Sequence, residues 1–141
     1  MSLAIMAGGA LLLSRLLDDR SIVPENLPDS YKSFLSCSFP EEGIAFVKED
    51  RDFLIKKYEV LLTDGTKIEF RINGAWKEIK RHQAAVPDNL IPTEALIKVG
   101  ELFPDSFIVK AEYERKNLEL KLDNGYELEF DRNLTLSNLD R

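Results

Sequence analysis

Asp64-Gly65-Thr66-Lys67-Ile68-Glu69-Phe70 returns as Asn124-Gly125-Tyr126-Glu127-Leu128-Glu129-Phe130, with the two glycines 60 residues apart. Each phrase holds a turn and then alternates. Ile68 and Phe70 oppose Lys67, Glu69 and Arg71, and Leu128 and Phe130 oppose Glu127, Glu129 and Asp131. Period-two alternation is the mark of a strand with one apolar and one wet face. The residues before each turn alternate too: Tyr58, Val60 and Leu62 in one, Leu118, Leu120 and Leu122 in the other. Asp-Gly or Asn-Gly between two such runs is the strongest short hairpin signal.

The correspondence extends outward from this phrase. Val23-Pro24-Glu25-Asn26-Leu27 returns as Val86-Pro87-Asp88-Asn89-Leu90 after 63 residues, and Phe39-Pro40 as Phe103-Pro104 after 64. The four-residue loss falls between Ile108 and Gly125, as an indel confined to a connection should. Between these markers the period is helical. Tyr31, Phe34, Leu35 and Phe39 share one face, as do Ala95, Leu96, Val99, Leu102 and Phe103. Pro28 and Pro92 open the helices, where a missing N–H is harmless. The Phe-Pro pairs close them, because a residue before proline is pushed toward extended geometry. Asn73-Gly74 marks a further turn, and Asn133-Leu134 is its less favourable counterpart.

The expected fold is therefore α+β: a tandem duplication of a helix plus a four-stranded antiparallel meander. The two units form one largely antiparallel sheet with helices on one face. The first repeat runs over 18–81, the second over 82–141, and Arg81 to Ala85 is the linker. Units of about 60 residues are marginal alone, so a shared core is expected.

Residues 3–13 form an uncharged apolar run, the length of a signal-peptide core and short of the roughly 20 residues a membrane helix needs. No Lys or Arg precedes it, and no small-x-small cleavage site follows before Asp18. The 1–17 segment reads either as a signal-derived leader, its basic start replaced, or as a native helix from Leu3 to Leu17. Cys37 lies too far along to be a lipobox cysteine.

The 141 residues carry 19 basic and 25 acidic groups, a net of −6, which argues against nucleic acid as a partner. Residues 1–81 hold 12 basic and 13 acidic groups, residues 82–141 hold 7 and 12, so the second repeat carries nearly all the charge. One cysteine and one histidine exclude an internal disulfide, a Cys-rich metal site and most triad chemistry. No nucleophile-elbow, phosphate-loop or zinc-protease motif occurs. Cys37 reads as an inert half-buried thiol, His82 as a solvent-facing linker residue, and no cofactor is called for.

The order helix, Phe-Pro, strand pair, Asp-Gly or Asn-Gly hairpin, Glu-Phe strand, Asn73-Gly74-Ala75-Trp76 resembles the PepSY-like periplasmic proteins common in Bacteroidetes. Their fold is similar to that of the beta-lactamase-inhibitor protein. The resemblance spans about Asp18 to Asp140, and Asp18-Asp19-Arg20-Ser21-Ile22 looks like the start of a mature chain in that family. It implies export to the periplasm or outside, a cleaved signal peptide, and a non-catalytic binding or inhibitory module. The second repeat departs from the pattern, with Leu134 and Leu136 where the first has Gly74 and Trp76.

That departure locates the candidate site. Strand parity places Leu61 and Trp76 on the sheet face away from the helices, joined by Phe46 if Ala45 and Val47 face the core; the alternative is that a bulge rotates Trp76 inward or the leader helix covers the patch. Their counterparts are Lys121, Leu136 and Lys110. An exposed apolar patch containing Trp suits a partner protein of the cell envelope. The alternative is an extracytoplasmic sensor or small-ligand domain, with Glu127, Glu129 and Asp131 as weak calcium candidates. The Glu49-Asp50-Arg51-Asp52 cluster lacks the spacing of a calcium loop and reads as a polar hairpin tip.

Overall fold

The computed structural model describes residues 19–52 and 55–141, so the expectation for residues 1–17 lies outside it. Nine strands form one antiparallel sheet in strict chain order: β1 (Asp19–Ile22), β2 (Ile44–Asp52), β3 (Ile55–Leu62), β4 (Lys67–Phe70), β5 (Trp76–Lys80), β6 (Ile108–Glu114), β7 (Asn117–Leu122), β8 (Glu127–Phe130) and β9 (Leu136–Asp140). Helix α1 (Asp29–Ser38) lies between β1 and β2 in the chain, and α2 (Thr93–Leu102) between β5 and β6. The fold is α+β.

Each helix begins one residue after its proline and ends just before its Phe-Pro. Pro28 O accepts from Tyr31 and Lys32, Pro92 O from Ala95 and Leu96, and Phe39 and Phe103 close the last turns at 2.8 Å. The two hairpins at the opening phrases match in their bonding. Gly65 N–H donates to Leu62 O and Gly125 N–H to Leu122 O, each at 3.0 Å, while Asp64 and Asn124 side chains accept from residues 66 and 126. The glycines sit at φ +91° and +92°, a region a Cβ disfavours. The four-residue difference between the halves is also visible: β2 and β3 have 9 and 8 residues, β6 and β7 have 7 and 6.

One continuous core joins the two halves. Val60, Ile68, Ile79, Ala111, Leu120 and Leu128 stand in register from β3 to β8 and are fully buried. Leu35 on α1, with Ala95 and Val99 on α2, covers them from one side. Phe70 and Phe130 occupy matching places, and burying each contributes about 2–3 kcal/mol. Leu102 departs from its expected buried face and is exposed at the end of α2.

Two elements differ from the sequence reading. Strand β1 was not expected; Arg20-Ser21-Ile22 pairs with Glu49-Lys48-Val47 and covers the β2 edge. Glu49 is no hairpin tip. It is buried mid-strand, accepting from Arg20 at 3.1 Å and Arg51 at 3.0 Å. Burial alone would raise its pKa, but the two guanidiniums prevail and hold it below the ordinary carboxylate value.

Candidate functional site

Trp76 does not face the outer side. The β4–β5 register steps from Glu69↔Glu78 to Phe70↔Trp76, so Lys77 is an extra residue opposite no partner. A bulge of one residue reverses the facing of the residues beyond it. Trp76 therefore points to the helix side with Phe70 and packs against the core. Its predicted partnership with Leu61 on one patch is corrected accordingly. The same step recurs at Glu129↔Asn138 and Phe130↔Leu136, with Ser137 as the extra residue.

On the helix side Trp76 borders a cleft of about 490 Å³. Phe70 lies at its centre of contacts: Tyr31 and Phe34 from α1 meet the Phe70 ring edge-on at 4.9 and 5.6 Å. Tyr113 on β6 lies beside Trp76 at 5.0 Å, the two rings tilted by 48°. The rim is polar. Arg71, Asn73 and Gly74 border it, and Arg71 Nη2 donates to Tyr113 O at 3.2 Å, tying the rim to the second half. Gly74 turns at φ +90° while Ala75 N–H donates to Asn73 Oδ1, which leaves the cleft mouth free of a bulky turn residue. Burial pushes the Tyr31 and Tyr113 phenols upward, so both are neutral hydroxyls at physiological pH. An aromatic floor with a few polar groups at the mouth is the common form of a ligand or side-chain pocket.

Phe46 and Leu61 do face outward. They are cross-strand neighbours, 46% and 39% exposed, beyond a bulge at Ala45. The next residues in that row are Lys67, Lys80, Lys110 and Lys121, so the apolar pair ends in a lysine stripe. Beside it runs a row the sequence reading did not assemble: Glu59, Glu69, Glu78, Glu112, Glu119 and Glu129, paired in turn across six strands. Lysines temper it, with Lys67 at 3.3 Å from Glu59, Lys110 at 3.4 Å from Glu78 and Lys77 at 3.9 Å from Glu69. Glu119 stands where the neighbouring charges are mostly acidic. Burial first, then Glu112 and Glu127, raise its pKa.

The weak calcium candidates do not converge. Glu127 pairs across the strands with Lys121, Glu129 accepts from Asn117 at 3.3 Å, and Asp131 Oδ1 is used by the backbone N–H groups of Asn133 and Thr135. Among the described residues no group of three or more His, Cys, Asp or Glu is placed to hold a metal ion. Cys37 is exposed rather than half-buried, and His82 is exposed beside Gly65.

Arg81, read from sequence only as a linker residue, is a polar anchor of the first half at its junction with the second. It meets Glu42 at 2.7 Å and Asp64 at 2.9 Å, donates to Thr66 Oγ1 and Ala85 O, and lies over the Phe39 ring. Asp64 is raised by burial but lowered further by Arg81 and Thr66, to about 2.

The helices and the single antiparallel sheet make this an α+β domain. A family model described as candidate beta-lactamase-inhibitor-like, PepSY-like, matches residues 56–138, and the chain belongs to that PepSY-like family. Three solved structures are similar over nearly their whole length. A candidate periplasmic protein of the DUF2874 family from Bacteroides vulgatus shares 32% identity, covering 88% of this chain and 98% of that one, with a TM-score of 0.80. A protein from Bacteroides thetaiotaomicron, described as a candidate calcium-regulated periplasmic protein, shares 35% identity over 88% and 98% with a TM-score of 0.80. A candidate periplasmic protein of unknown function from Bacteroides vulgatus shares 30% identity over 87% and 99%, with a TM-score of 0.79. A search of curated proteins returned no match. The expected periplasmic localisation agrees with all three relatives. The family is not one of known enzymes, and among the described residues no helix is long and apolar enough to cross a membrane.

Tyr31 and Phe34 were legible only as residues of one helix face, and Tyr113 was not singled out. Their convergence depends on the bulge at Lys77 and on the β5–β6 junction, neither of which leaves a local sequence signal.

Proposed function

We propose that this is a non-enzymatic binding module of the periplasm that takes an apolar or aromatic side chain of a partner envelope protein in the Trp76 cleft. One observation carries the reading: the Trp76 cleft, walled on one side by Tyr113 of β6, has no tryptophan counterpart in the second half. Where the first half has Gly74 and Trp76, the second has Leu134 and Leu136. The two halves, 18–81 and 82–141, are read as a tandem duplication. The recurring order of a 3-10 turn, a ten-residue helix and four strands supports that. On this reading the duplicated scaffold is shared and the aromatic cleft is the specialised part. Trp and Tyr at a rigid, partly desolvated concavity are the usual anchors of binding energy.

Affinity capture from envelope extract tests it, using wild type, Trp76→Ala and Leu61→Lys. Retention of a protein that Trp76→Ala abolishes and Leu61→Lys spares supports the cleft. Loss with Leu61→Lys alone moves the site to the outer Phe46–Leu61 pair. Retention unchanged in both variants removes both assignments.

A relative described as calcium-regulated favours a second reading, weak association of a divalent cation with the glutamate row of the outer face. Calcium then raises the melting temperature, and Glu119→Gln with Glu129→Gln abolishes the rise. No shift in wild type ends that reading.

A further inference from the structure

We infer that the free edge of β9 is an assembly surface that takes β9 of a second copy of this chain, antiparallel, with Leu139 on the two-fold axis. The template lies within the molecule. β5 and β9 hold the same place in their halves, each carrying a one-residue bulge and pairing with the strand before it. β5 is covered on its far side by β6; beyond β9 there is no further described strand. The consequence shows at one position. Ile79 is paired with Ala111 and fully buried, while Leu139, its counterpart, is 44% exposed.

The hydrogen-bond phase of the edge comes from the same template. Arg81 N–H donates to Val109 O at 2.8 Å, so β5 turns the backbone groups of every second residue, Ile79 included, toward β6. In β9 that phase points the N–H and C=O of Leu139 at the open side. Leu136-Ser137-Asn138-Leu139-Asp140 carries neither the lysine nor the proline with which exposed edges are commonly blunted.

A second copy fits this edge better in one register than in its neighbours. With Leu139 opposite its own symmetry mate, the two leucines meet on the helix side. Asn138 then faces Asp140 of the other copy, an amide against a carboxylate. Moving the axis to Asp140 sets two carboxylates face to face, and moving it to Asn138 sets Leu139 against Ser137. The glutamate row ends at Asn138, so no two carboxylates face each other across the seam. A two-fold contact of this kind closes on itself, unlike a head-to-tail β9–β1 contact.

Sedimentation equilibrium of the full chain, up to about 1 mM to include weak association, reads the mass directly. The expected result is a concentration-dependent doubling of the 16.1 kDa chain mass. Leu139→Lys returns it to the single-chain value with an unchanged melting curve, since Leu139 is half in solvent. In a Cys37→Ser background, Asn138→Cys with Asp140→Cys cross-links under mild oxidation, and each single cysteine does not. A chain that stays at single mass, a dimer indifferent to Leu139→Lys, or cross-linking as efficient with one cysteine as with both overturns the inference.

Discussion

Arg81 and Arg141 stand 60 residues apart at matching places after the last strand of each half, and they do different things. Arg81 is clasped by Glu42 and Asp64, only 11% of its side chain exposed. Arg141 lies over the Tyr126 ring at 5.1 Å with its residue exposed. The counterparts of Glu42 and Asp64 in the second half are Ser106 and Asn124, neither charged. The same backbone position thus carries an ion-pair clasp within the first half, beside the junction with the second, and an aromatic contact at the far end of the sheet. The same contrast runs through Trp76 against Leu136 and Gly74 against Leu134.

The largest break in this comparison should come from Arg81→Ala. Removing it leaves two poorly solvated carboxylates without their cation, a loss of about 3 kcal/mol in denaturant melts. Arg141→Ala removes a surface cation–π contact and should lose less than about 1 kcal/mol. Equal losses would mean that the clasp is ordinary surface charge.

Next comes the aromatic pair. Trp76→Ala strips a half-buried indole from Tyr113 and Phe70, with an expected loss of about 2 kcal/mol; Leu136→Ala at the open edge should lose about 1. The turns test the comparison in the opposite sense. Leu134 holds φ +62° where Gly74 holds +90°. Leu134→Gly should stabilise by up to about 1 kcal/mol and Gly74→Ala should destabilise by a similar amount, both read as shifts of the unfolding midpoint.

The smallest effect is in pH. Asp64 has a folded pKa of about 2 against a reference of 3.8. Its contribution is therefore complete above about pH 4 and is lost as the pH falls through about 2. With a third of the side chain exposed, screening leaves about 1 kcal/mol of it. Asp64→Asn should flatten that part of the stability–pH curve, and Asn124→Ala should leave it in place.

How legible was all this in the sequence? The hairpin phrases, helix ends and strand alternation were local patterns, and each stands where the spacing put it. Facing was legible only within stretches that hold no bulge. Leu61 and Phe46 lie outward as parity demands, whereas Trp76 lies beyond the extra residue Lys77 and is reversed. Strand β1 was invisible because Asp19-Arg20-Ser21-Ile22 has no clear alternation; only Ile22 adds to the core margin. The glutamate row was present as separate i, i+2 carboxylates, but their alignment across six strands is a property of register. The Arg81 clasp joins residues 39 and 17 positions away. No local reading could anticipate it.

The central claim is that the bulge at Lys77 turns the chain's one tryptophan into a helix-side cleft. Through-space NMR contacts from the Trp76 indole test this most directly. Cross-peaks to the ring protons of Tyr113, tilted against the indole at 5.0 Å, and to Phe70 are expected. Cross-peaks confined to the methylenes of Glu69 and Glu78, with none to Tyr113, would return Trp76 to the outer face and contradict the account.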